Sequence, residues 1–138
     1  MCPMQKHARF NLVIVALALG VILLLYPFLG RGALGGAGIL GFLGFGVFYY
    51  RKKQGFVVSD ERDALIGVRS MIAAYSIFWL AFVAAVTLLA PGYYGYSGAV
   101  PVTVLENAFL ALFLLFIVAW SIATLVQYAR GGFDAKPE

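Results

Sequence analysis

Charge is what this sequence has least of. Asp, Glu, Lys and Arg make up 12% of its 138 residues, about half the share usual in a soluble domain. The hydrophobic fraction is 63%. A water-soluble fold of this size has too little interior to hide so much apolar surface, so the excess must face lipid. A single cysteine, Cys2, excludes an intrachain disulfide and leaves the redox compartment open. It precedes the first apolar run, whereas a lipoprotein cysteine follows one. Palmitoylation remains an alternative to a plain free thiol. A single histidine, His7, has no second ligand type placed to join it in a metal or haem site, and it is expected among solvent and headgroups. There is no phosphate-binding loop, no nucleophile–base pair and no metal-ligand cluster, so no enzymatic activity is expected.

What is present is grease in lengths that match a bilayer. Four apolar runs, at 10–29, 33–50, 66–90 and 104–128, are each near the ~20 residues that a ~30 Å hydrocarbon core demands. Their centres hold no Asp, Glu, Lys or Arg; Arg69 and Glu106 lie within the first turn or so. Backbone groups in lipid must be bonded within the segment, and continuous runs are not the alternating segments of a barrel. The expected fold is an all-α membrane protein, one domain over 1–138. Four transmembrane helices, near 10–29, 33–50, 60–90 and 104–128, form an antiparallel bundle. The first run, preceded by Lys6, His7 and Arg9, resembles a secretory signal but is too long for one, and an uncleaved helix is expected.

The net charge of +4 is distributed unevenly. Lys6 and Arg9 precede the first run; Arg51, Lys52, Lys53, Arg62 and Arg69 lie between the second and third; Arg130 and Lys136 follow the fourth. Arg31 alone falls on the other side. Short basic segments stay inside, so both termini and the central connector of a protein integral to a cell membrane are expected in the cytoplasm. Nucleic acid is not needed to explain the basicity. Arg51, Lys52 and Lys53 mark the topology and are also candidates for anionic lipid headgroups.

Helix ends carry their own signals. Ser59 and Asp60 are expected to cap the third helix, whose first turn holds Glu61 and Asp63; Pro91 and Gly92 should end it. Thr103 and Glu106 fit a capping box for the fourth, with Pro101 just outside. Tyr26, Tyr49, Tyr50, Tyr93, Tyr94, Tyr96 and Tyr128 fall near run ends, as an interfacial belt would place them.

Gly32, Gly35, Gly38, Gly41 and Gly44 recur at every third residue of the second run. On an α-helix such a row steps back by about 60° each time and winds round as an inclined groove. It can serve packing within the chain, contact with another subunit, or room for a flat cofactor or lipid tail. Trp79 and Trp120 lie near mid-run, where they pack between helices or face lipid, and a pigment or quinone is the ligand alternative. Ser121, Thr124 and Gln127 share a spacing of three, with Ser76 and Thr87 as candidate hydrogen-bond partners and Asn107 near the outer end.

The basic end of the second run followed by VVSDERDALI, over about residues 40–90 and chiefly at Asp60, Glu61 and Arg62, resembles an uncharacterised family of small predicted prokaryotic membrane proteins. The resemblance implies a fold type and no chemistry. The functional expectation is an accessory or scaffolding subunit of a larger membrane complex. Its partners would be membrane lipids and other subunits or copies of itself; no cofactor of its own is expected, and a pigment, quinone or lipid would be met only through a partner complex. The alternative is a homo-oligomeric channel or small-molecule carrier, for which Ser76, Ser121, Thr124 and Gln127 would supply the polar path.

Overall fold

A computed structural model describes residues 3–50, 61–89 and 100–131. Among these residues are three α-helices, α1 (Pro3–Leu29), α2 (Glu61–Leu89) and α3 (Val102–Gly131), with a 3₁₀ helix, Gly30–Tyr50, following α1 directly. The described residues are almost wholly helical.

α1 starts well before the apolar run, so Lys6, His7 and Arg9 are helical. Pro27 lies in its last turns, where the missing N–H disturbs little that follows. Gly30 then turns the chain at φ +51°, a left-handed conformation that costs glycine nothing and ends the helix. Beyond it the chain runs back along α1. A Cβ at Gly36 would sit 3.1 Å from Val21 and Ile22, and one at Gly46 would collide with His7, which pairs the far end of the 3₁₀ helix with the start of α1.

The second element corrects the expectation of an α-helix. At three residues per turn, positions i and i+3 eclipse, which normally keeps 3₁₀ runs short. Here one of the three resulting rows is Gly32, Gly35, Gly38, Gly41 and Gly44, which carries no side chains to eclipse. The glycines therefore form a straight row, not a winding band. The neighbouring row places Phe42, Phe45 and Phe48 in a near-parallel stack with ring centroids 5.6 and 5.8 Å apart, close to the ~6 Å that three residues rise.

α2 carries Glu61 and Asp63 in its first turn, at the positive end of the helix dipole. Ser59 and Asp60, expected to cap it, lie outside the described residues, as do Pro91, Gly92 and the loop tyrosines Tyr93, Tyr94 and Tyr96. At α3 the cap differs from the expected box. The carbonyl of Pro101 accepts from the N–H groups of Val104 (2.9 Å) and Leu105 (3.3 Å), so Thr103 and Glu106 fall inside the first turns.

α3 packs antiparallel on α2, with Tyr128 against Asp63 at one end and Phe78 against Phe116 further along. It also packs on α1, where Trp120 meets His7. Met4 reaches Gly67. The start of α1, the start of α2 and the end of α3 thus share one end of the bundle.

Among the described residues three stretches are long and apolar enough to cross a membrane: Pro3–Gly46, Glu61–Leu89 and Val102–Arg130. The first is 44 residues and comprises α1 and most of the 3₁₀ helix.

Candidate functional site

The buried residues of each α-helix fall on one stripe. On α1 they include Ala8, Asn11, Val15 and Ala18; on α2, Ile66, Ser70 and Ala74; on α3, Ile117, Ser121 and Thr124. Steps of three and four put each set on one helix face. The largest side chains exposed below 2% are Thr124, Ser70 and Ser121. Large apolar side chains go the other way, with Leu23 and Leu24 both 72% and Phe28 85% exposed. A soluble fold does the reverse. In lipid there is no hydrophobic gain from hiding leucine, and small residues let helices approach closely.

The polar members of these stripes gather toward the end shared by the start of α1, the start of α2 and the end of α3. The Tyr128 hydroxyl and the Asp63 carboxylate are hydrogen-bonded. Next in, Gln127 Nε2 donates to Ser70 Oγ at 3.3 Å. Thr124 Oγ1 donates back to the Trp120 carbonyl at 2.8 Å. At the inner limit the His7 and Trp120 rings meet edge to face, with centroids 5.5 Å apart. From Tyr128 to Trp120 is eight residues, about 12 Å along the helix. Beyond that level the buried residues include Ile14, Val15, Ala18, Ala33 and Ile117, all apolar. The polar seam occupies one half of the bundle.

Some expected residues belong to this seam and others do not. Ser121, Thr124 and Gln127 line it. Ser76 and Thr87 do not, since each is exposed and donates to a carbonyl one turn back on its own helix, Ile72 at 3.0 Å and Val83 at 2.8 Å. Asn107 is exposed. His7, expected among solvent and headgroups, is half-buried and packed against Trp120 and Gly46. Trp79 faces outward, 44% exposed. Asn11 and Ser70 were not singled out from sequence, although each sits where a small or polar residue interrupts an apolar run at helical spacing from Ala8, Val15 and Ala74.

The glycine row points away from the rest of the chain. Gly35, Gly38, Gly41 and Gly44 have nothing within 4 Å of where a Cβ would stand, and Gly32 meets only Leu29 of the preceding turn at 3.5 Å. The glycines that pack within the chain are Gly36 and Gly46. A second outward feature is a groove of about 460 Å³ between α2 and α3, lined by Tyr75, Phe78 and Phe82 on one side and Phe109, Phe113 and Phe116 on the other. The headgroup candidates Arg51, Lys52 and Lys53 lie outside the described residues. Among the described residues no group of three or more His, Cys, Asp or Glu side chains could hold a metal ion.

Helices of bilayer length, apolar outside and small or polar within, define an all-helical membrane protein. The chain matches, over residues 4–130, the family described as predicted membrane protein (DUF2178), and it belongs to that family, whose function is unknown. The match reaches well beyond the 40–90 stretch that carried the resemblance in sequence. No curated protein and no solved structure matches the chain.

Proposed function

We propose that the chain is a non-catalytic membrane subunit that crosses the bilayer four times, with both ends cytoplasmic, and serves as an accessory or scaffold in a larger complex of a prokaryotic plasma membrane. The observation that carries this reading is the open glycine row. Side chains added at Gly35, Gly38, Gly41 or Gly44 would meet nothing of this chain, yet the row is the kind of surface that lets another helix backbone come close. The pairing of the 3₁₀ helix with α1 supports two crossings before α2. At ~2.0 Å per residue the 21 residues of the 3₁₀ helix span about 42 Å, and the 27 of α1 about 40 Å. Either arm is long enough. All of the basic residues but Arg31 then fall on one side, as the orientation rule favours.

The test is recovery of tagged chain at native expression in mild detergent. A membrane-protein partner or second copy is expected with the wild type and is expected to be lost on Gly38→Ile, with the thermal midpoint of the chain itself unchanged. Wild-type chain recovered alone and monomeric contradicts the reading. The polar seam favours a carrier as the second reading, but it extends only about 12 Å into a hydrocarbon core of ~30 Å. Flux into liposomes above that of empty vesicles would support the carrier instead.

A further inference from the structure

Three buried polar atoms at the inner limit of the seam find no hydrogen-bond partner among the described residues: Asn11 Oδ1, Trp120 Nε1 and Ser121 Oγ. Asn11 is 3% exposed and Ser121 is 0% exposed. Inside a membrane such atoms are costly to leave unpaired, because no bulk water reaches them.

The packing of α1 on α3 brings them to nearly one level of the bundle. The His7–Trp120 contact sets the register between α1 and α3. Asn11 is one turn beyond His7 on α1, which brings it within about one turn, ~5.4 Å, of the level of Trp120 and Ser121. Side chains lean toward the N-terminus of their own helix. Since α1 and α3 are antiparallel, Asn11 leans toward the level of Trp120 and Trp120 leans toward the level of Asn11.

The three atoms also differ in kind. The indole N–H can only donate, the Asn11 Oδ1 can only accept, and the Ser121 hydroxyl can do either. A ligand that satisfies all three must accept from one and donate to another. A proton-free anion could not donate to Asn11, and a metal or ammonium cation could not accept from Trp120. Water does both, and buried waters typically make about three such bonds. We propose that Asn11, Trp120 and Ser121 form a binding site for a single buried water molecule between α1 and α3. The site lies at the inner end of the Asp63–Tyr128 and Gln127–Ser70 seam and holds the Trp120 indole in place against His7. It does not depend on any partner of the chain.

The two tryptophans make the test internal. Chain labelled with ¹⁵N at the indole nitrogens and placed in lipid nanodiscs gives two indole signals, assigned through Trp79→Phe. The Trp120 indole proton is expected to show a through-space cross peak to water and a hydrogen-bonded shift, and outward-facing Trp79 neither. In Asn11→Leu/Ser121→Ala the Trp120 cross peak is expected to fall at least tenfold. Absence of the cross peak in the wild type overturns the proposal, as would a direct bond from the indole to Asn11 with no water signal. A wild-type cross peak that persists in the double variant also overturns it. The wild-type measurement decides even if the double variant does not fold.

Discussion

Gly46 and Gly38 lie eight residues apart on one helix and do opposite things. Gly38 faces open space, whereas Gly46 is covered by the imidazole of His7, which itself rests on Trp120. A methyl group at Gly46 must displace the ring, and overpacking of this kind costs about 1–3 kcal/mol. Gly46→Ala is therefore expected to lower the unfolding midpoint in detergent. His7→Ala in the same chain should restore most of the loss, because the obstacle is gone. An unchanged midpoint for Gly46→Ala would mean that His7 does not sit there. The same contact explains why His7 misleads a reader of the sequence. Basic neighbours suggest a solvated segment, but α1 begins at Pro3 and carries His7 into the bundle.

At the scale of the element, the 3₁₀ helix is the unusual feature, and its cause is written in the spacing of its glycines. A period of three matches three residues per turn, and the row without side chains removes the crowding that otherwise limits such helices. Replacing Gly35, Gly38 and Gly41 together with alanine restores side chains to that row and favours the α-helix. Spin labels at Arg31→Cys and Phe48→Cys, in a Cys2→Ser background, report the outcome. Their backbone separation is expected to be about 34 Å in the parent and to shorten to about 26 Å in the triple variant. A parent distance already near the shorter value would contradict the 3₁₀ assignment. The glycine period was plain in the sequence; its consequence was not, because an α-helix is the default in lipid and turns the same row into a spiral. α2 and the body of α3 were legible from length and hydropathy alone. The seam was half legible. Ser121, Thr124 and Gln127 stand out by spacing, but only packing shows that Ser70 and Asn11 face them and that Ser76 bonds its own helix. Helix periodicity assigns residues to faces; it does not say which face meets which.

For the whole molecule the governing fact is an inverted distribution of side chains. Of the apolar windows in the three membrane-capable stretches, 17%, 6% and 28% is buried within the chain. The rest needs lipid or a partner to cover it. That requirement, and the fold-back at Gly30, are what the proposed four crossings rest on. The measurement that bears on this most directly is sided labelling of single cysteines in a Cys2→Ser background, at Arg31→Cys, Lys53→Cys and Lys136→Cys. In intact cells a membrane-impermeant thiol reagent is expected to modify Arg31→Cys alone, and to reach Lys53→Cys and Lys136→Cys only after the membrane is opened. If Arg31→Cys and Lys53→Cys react from the same side, the Pro3–Gly46 hairpin does not cross the bilayer twice and the four-pass account is wrong.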